Sequence, residues 1–216
     1  MRWFYWLASR AVDLVAFLVC RREVVGLENV PRSGPLLVIS NHLSLADPPL
    51  LGASFPRPIR FMAKEELFRT PIVSWVVRGY MAYPVRRGEA DREAVRTTLR
   101  LLREGEAVGI FPEGTRSRCA RLREAHPGAA LLAQRAGVPI LPIGISGSEN
   151  LFGWPRSALR PTIRIAVGPP FRLHPSEKGT GHAALAANTV MMMRKIAELL
   201  PQQYRGPYAD GADGSA

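Results

Sequence analysis

The segment Asn41-His42-Leu43-Ser44-Leu45-Ala46-Asp47 sets an imidazole and a carboxylate five residues apart, directly behind the apolar run of residues 36–40. A short apolar run bounded by Gly34-Pro35 reads as a buried strand. That places His42 at a strand end, where α/β proteins collect their chemistry. Asp47 is followed by Pro48 and Pro49, a helix-start pattern with Asp47 expected at the N-cap. A tight turn between strand and helix can fold the Asp47 carboxylate back onto one imidazole nitrogen. Such a contact fixes the tautomer and raises the basicity of the other nitrogen, the arrangement of a general base. The alternative on these residues alone is a structural histidine beside an ordinary helix cap.

A second cluster, Phe111-Pro112-Glu113-Gly114-Thr115-Arg116-Ser117, closes the apolar run 107–111. Arg116 offers a planar fork suited to phosphate or carboxylate. Glu113 could orient that fork or accept a hydroxyl, and Gly114 lets the backbone approach a ligand. The alternative is a Pro-Gly turn with surface charges. Residues 84–88, Pro-Val-Arg-Arg-Gly, likewise end a short strand with guanidinium groups, whereas residues 138–143 read as structural.

The elements that must position these groups follow from periodicity. Strands are expected at 24–27, 36–40, 59–63, 81–85, 107–111, 140–145 and 163–167. Helices are expected at 48–54, 71–78, 89–104, 129–136 and 182–200, with Gly105 and Gly137 as helix stops. Strands alternating with helices predict a single-domain α/β sandwich with a largely parallel central sheet flanked by helices. In such a sheet, His42 and the 111–117 cluster share one edge.

The chain has 216 residues, 47% of them hydrophobic, and carries 29 Lys+Arg against 18 Asp+Glu, a net charge of +11. Only Lys64, Lys178 and Lys195 are lysines, so the surplus is arginine. A charge of this size favours anionic partners. Zinc-ligand spacing, ribonucleoprotein aromatic motifs and basic zippers are lacking, so nucleic acid is not the expected partner. Two cysteines form no disulfide framework, and the histidines at 42, 126, 174 and 182 have no ligand spacing, so no metal site is expected.

Residues 3–20 are nearly all apolar but are interrupted by Ser9, Arg10 and Asp13, which is costly for a spanning helix. As a helix, Trp3, Leu7, Ala11, Leu14 and Leu18 form one stripe, with Arg2, Ser9 and Asp13 on another side. An amphipathic helix lying in the membrane interface is expected, with a short insertion and an ordinary packed helix as the alternatives. The resulting division is residues 1–22 as the membrane-associating helix, 23–206 as the folded domain and 207–216 as a disordered tail.

Four motifs in this order resemble the glycerolipid acyltransferase family, and within it the 1-acylglycerol-3-phosphate acyltransferases. N-H-x-x-x-x-D stands at 41–47; the strand ending in arginine is similar to Tyr83-Pro84-Val85-Arg86-Arg87-Gly88, with Arg87 as the family arginine. F-P-E-G-T-R-S stands complete at 111–117, and the fourth motif resembles Val138-Pro139-Ile140-Leu141-Pro142. Arg86 departs from the acidic residue common before the family arginine, and His126 stands where a lysine is common.

The resemblance implies a membrane-associated acyltransferase. It would move a fatty acyl group from a thioester (acyl-CoA or acyl carrier protein) to the free hydroxyl of 1-acylglycerol 3-phosphate, giving phosphatidic acid. His42 would be the base and Asp47 its orienting partner. Arg87, Glu113, Gly114, Thr115, Arg116 and Lys64 would hold substrate, supported by Asn41, Phe111, Pro112 and Pro139. No cofactor is expected beyond the thioester co-substrate. A lysophospholipid, the acyl donor and an anionic membrane are the expected partners, at the cytoplasmic face of the cell membrane. A sibling acceptor (glycerol 3-phosphate, a lyso-aminolipid or another lysophospholipid) and a non-catalytic basic membrane-binding protein are the alternatives. Backbone N–H groups near Pro139-Ile140 are candidates for the oxyanion.

Overall fold

A computed structural model describes residues 2–86, 91–152, 160–173 and 181–209. The chain runs α1 (Arg2–Val19), β1 (Arg21–Val25), β2 (Leu36–Ser40), α2 (Asp47–Ser54), β3 (Ile59–Lys64), α3 (Pro71–Gly79), β4 (Tyr83–Val85), α4 (Arg92–Arg103), β5 (Ala107–Ile110), α5 (Gly128–Ala136), β6 (Ile140–Ser146), β7 (Thr162–Val167) and α6 (His182–Ala197). Short 3-10 turns join several of these, among them Ser148–Phe152 after β6.

The strands form one seven-stranded sheet in the order β1-β7-β6-β2-β5-β3-β4. Five strands, β6, β2, β5, β3 and β4, are mutually parallel, and β7 turns antiparallel to β6. The expected α/β class and largely parallel sheet are therefore present. All five residues of β2 are buried, as a strand needs when helices cover both faces of the sheet. Alternate side chains go to opposite faces. Leu37 and Ile39 join a core under α4, α5 and α6 with Val108, Leu101, Met193 and Ile196. Leu36 and Val38 join a second core with Ile59, Phe61, Leu51 and Ala16, on the side of α1 and α2.

The helix α1 turns a mixed face of aromatic, small and polar residues to the protein and leaves its large apolar stripe outside. Tyr5, Ser9, Ala16 and Cys20 are buried, while Trp3 is 70% and Phe17 71% exposed. The whole stripe expected from the sequence, Trp3, Leu7, Ala11, Leu14 and Leu18, is the exposed face. Asp13 forms an ion pair with Arg22 at 2.8 Å on the inner side. Tyr5 is the pin: its hydroxyl donates to Gly52 O at 3.2 Å and accepts from Ile59 N at 3.2 Å. Burial pushes that phenol up to about 12. Gly52 is required beneath it, because a Cβ there would lie 2.6 Å from the Tyr80 ring and 2.9 Å from the Tyr5 oxygen.

The C-terminal boundary lies later than expected. Gly206–Tyr208 form a 3-10 turn, and Tyr208 packs against the core under α4–α6. The expected tail beyond it, residues 210–216, lies outside the described residues.

Removing the Tyr5 hydroxyl strands a buried N–H and a buried carbonyl, which costs about 1–3 kcal/mol. Tyr5→Phe is expected to lower the urea-unfolding free energy by about 2 kcal/mol; an unchanged midpoint and slope would remove the anchoring role.

Candidate active site

Because β2, β5, β6, β3 and β4 are parallel, their C-terminal ends all open on one edge. His42 leaves β2 there, and its Nδ1 lies 2.8 Å from Asp47 Oδ2. A carboxylate can only accept, so Nδ1 is the donor in this contact and Nε2 is the nitrogen turned away from Asp47. Asp47 is fully buried. The same Oδ2 accepts from Leu43 N at 2.7 Å and Ser44 N at 2.8 Å. This corrects the expected cap: Ala46 takes the N-cap position of α2, and the Asp47 side chain makes no cap hydrogen bond. It turns back and closes the loop that carries the histidine. The carboxylate reaches the imidazole as expected, through a different use of its oxygens.

Sequence reasoning missed the residue on the other oxygen. Ser148 Oγ donates to Asp47 Oδ1 at 2.6 Å and is itself fully buried. Ser148 follows β6 through Gly147, whose φ of +86° and whose contact with Thr162 O (2.1 Å from an added Cβ) require glycine. The only sequence signal was Ser-Gly-Ser at the end of a buried strand. Asn41 is explained by the same strand. Its amide donates to Ile145 O at 2.8 Å and accepts from Ile145 N at 2.7 Å. The side chain thereby continues the β2–β6 pairing where the main chain leaves it.

Glu113 is a clamp between the two clusters. Its Oε1 accepts from His42 N at 3.0 Å and its Oε2 from Arg123 N at 3.1 Å. Each oxygen thus accepts from one backbone N–H. Burial pushes its carboxyl up to about 7, against the lowering effect of those two N–H groups. Ser117 N donates to His42 O at 2.8 Å, a second tie between the clusters. Phe111 stacks on the His42 ring, 4.1 Å between centroids and 17° between planes, and Phe61 stacks behind Phe111 at 5.7 Å. Gly109 makes room for this pile, since a Cβ there would lie 2.2 Å from Phe61.

The remaining candidates divide. Thr115 and Arg116 are exposed on the loop after β5, beside a half-buried Gly114 with φ +68°. Pro112 is buried, and its carbonyl accepts from His126 N at 3.0 Å. Lys64 ends β3 on the active edge, where its half-exposed ammonium pairs with Glu66 at 2.8 Å. Pro139 precedes β6, at the opposite edge of the sheet from His42, where its carbonyl accepts from Leu37 N. Ile140 N is already donated to Phe171 O at 2.7 Å, so this segment supplies no oxyanion donor. Arg87 lies outside the described residues.

Two grooves lie on either side of these groups. One of about 530 Å³ is lined by α1, α2 and α3, with Phe4, Leu45, Leu50, Trp75 and Leu151 among its walls. The other, about 930 Å³, runs between α4 and α5 from Phe111 and Gly114.

A family profile described as Acyltransferase matches residues 21–146, more than half of the chain. The chain belongs to the acyltransferase family. The recognition made from the four motifs is thus borne out at the level of the family. It is 29% identical over 200 residues, 90% of this chain and 96% of the relative, to the 1-acyl-sn-glycerol-3-phosphate acyltransferase of Bacillus subtilis. It is 36% identical over 146 residues, 67% of this chain and 52% of the relative, to the lyso-ornithine lipid O-acyltransferase of Pseudomonas aeruginosa. It spans the same 52% of the 1-acyl-sn-glycerol-3-phosphate acyltransferase of Borreliella burgdorferi, to which it is 33% identical over 131 residues, 60% of this chain. The crystal structure of the 1-acyl-sn-glycerophosphate acyltransferase from Thermotoga maritima superposes with a TM-score of 0.67 at 25% identity, covering 89% of this chain and 78% of that one. In this acyltransferase the family segment ends two residues before Ser148.

The raised Glu113 carboxyl fixes a pH dependence of stability. A group whose folded value lies above its free value of 4.5 stabilises the fold fully below 4.5, and loses that contribution as pH rises through about 7. The unfolding free energy is therefore expected to fall between these limits, with a shallower fall in Glu113→Gln. Urea titrations across the range check it, and equal slopes in both proteins would refute it.

Proposed function

We propose that this acyltransferase esterifies the free hydroxyl of 1-acylglycerol 3-phosphate with a fatty acyl group taken from a thioester, giving phosphatidic acid. The observation that carries the reading is the 2.8 Å contact between His42 Nδ1 and Asp47 Oδ2 at the end of β2, braced by the 111–117 loop. An alcohol attacks a thioester carbonyl at neutral pH only if its proton is removed during the attack. His42 Nε2 takes that proton, and Asp47 stabilises the imidazolium that forms. The tetrahedral intermediate then expels the thiolate, and the imidazolium returns the proton to sulfur. The products are the ester and a free thiol. Arg116, with Arg87, is assigned to the acceptor's phosphate, since Arg116 is exposed beside the site and has no ion-pair partner among the described residues.

Its lipid substrates fit the outer surface. None of the described helices is long and apolar enough to cross a membrane. The exposed apolar face of α1, which ends against the 530 Å³ groove, is suited to lying in the interface, and the surplus of arginine to an anionic surface. The acceptor has a second reading, a lyso-aminolipid, which the 36% identity to the lyso-ornithine lipid enzyme favours.

His42→Ala is expected to lower acyl transfer at least about 100-fold while the fold and vesicle binding persist; retained activity would exclude the base. An acceptor panel of lysophosphatidate, glycerol 3-phosphate and lyso-ornithine lipid separates the two acceptor readings. Labelled thioester incubated without acceptor should leave no acyl group on the protein. For docking, Leu14→Ser with Phe17→Ser is expected to weaken co-sedimentation with anionic vesicles at an unchanged melting temperature. Deleting the helix would be a poorer test, because it uncovers the core beneath Tyr5 and Ala16.

A further inference from the structure

The groove between α4 and α5 is not used by the chemistry above. It begins at Phe111, the ring stacked on His42, and at Gly114, and has an apolar floor that includes Ile110 and Leu132. Its rim carries three arginines and one aspartate, Asp91, whose oxygens are taken up by the backbone N–H groups of Arg86, Glu93 and Ala94. Arg92 and Arg96, one turn apart on α4, and Arg135 on α5 all line it, and all three are exposed. None has an ion-pair partner among the described residues, whereas Arg100 on the same helix is held by Glu104 at 3.3 Å and lies outside the groove. An acyl chain ends in a methyl group and would leave three guanidinium groups unused. The other half of a biological thioester is amphipathic: a pantetheine arm, with two amides and a gem-dimethyl carbon, that ends in phosphate.

We propose that the α4–α5 groove binds the phosphopantetheine arm of the acyl donor, with the arm along the apolar floor and its phosphate on Arg92, Arg96 and Arg135. This assignment rests on the thioester reading above and adds the direction from which the donor arrives. The arm enters on the face of the sheet opposite α1, and its thioester meets His42 past the edge of Phe111. Guanidinium groups suit this ligand because they offer paired donors to phosphate oxygens. The same arm occurs in coenzyme A and on acyl carrier protein, so the groove serves either source.

The test compares four donors of one chain length, palmitoyl-pantetheine, palmitoyl-phosphopantetheine, palmitoyl-CoA and palmitoyl-acyl carrier protein, on the full chain with acceptor in vesicles. The readout is kcat/KM for each phosphorylated donor divided by that for palmitoyl-pantetheine. In the native protein this ratio is expected to be about 10 or more, the size of one charge-assisted hydrogen bond. In Arg96→Ala/Arg135→Ala it is expected to collapse towards 1, and the double Lys variant should recover part of it. Arg100→Ala, outside the groove, should keep the native ratio. A ratio lost with palmitoyl-phosphopantetheine assigns the arm's own phosphate. One lost only with palmitoyl-CoA assigns the nucleotide phosphates of that source and excludes the carrier protein. A native ratio near 1, or a ratio the double variant leaves untouched, overturns the proposal. So does a rise in the acceptor's KM in step with the donor's, which would give the arginines to the acceptor phosphate. No transfer from any of the four donors would instead be a failure of the thioester reading.

Discussion

One buried carboxylate holds the site in shape. Asp47 receives the imidazole N–H and two backbone N–H groups on one oxygen, and a serine hydroxyl on the other. An unpartnered charge at full burial would cost several kcal/mol, so these four donors are the condition for its being there at all. The loop conformation and the orientation of the base are therefore a single interaction. A change that frees the loop also turns the ring, and a change that removes the ring leaves a buried acceptor short of one donor. Ser148 and Asn41 carry that dependence to β6, because one completes the carboxylate's shell and the other extends the sheet beneath it.

The sheet gives the site two unlike approaches. Helices α1 and α2 cover one face and α4, α5 and α6 the other, and the C-terminal edge of the parallel strands lies between them. One groove lies beside α1, α2 and α3 and another between α4 and α5, on either side of that edge. Glu113 fits this arrangement as a bracket: by holding His42 N and Arg123 N it fixes the third-motif loop to the first, so both approaches end on one rigid rim.

Much of this was legible in the residues and some was not. The central strand at 36–40 and the five-residue spacing from His42 to Asp47 were read correctly because both are local: burial on two faces makes β2 continuously apolar, and the turn is short enough to return on itself. The first strand, expected at 24–27, lies at Arg21–Val25 instead, because Gly26 turns left-handed and Leu27 begins a 3-10 turn. Asp-Pro was misread as a cap because the pattern reports what a carboxylate can do for a helix, and cannot weigh a stronger set of donors behind it. Ser148, 101 residues from its partner, left no pattern at all. Pro139 was placed in the site by motif order, although its position just before the strand at 140–145 already put it at the edge opposite His42. For α1 the stripe was right, and the small and polar residues opposite it, Ser9 and Ala16, became intelligible only as the side that meets protein.

That inversion of α1 has an optical consequence. Trp3 and Trp6 lie on it and are 70% and 40% exposed; Trp75, 61% exposed on α3, meets Phe4 edge to face at 4.8 Å between centroids. No described indole belongs to the interior. Emission from these tryptophans consequently reports the polarity outside the molecule: it responds when the surface leaves water, and responds weakly when the core melts. The emission of these three indoles would then follow association sensitively and denaturation poorly, the reverse of its usual use.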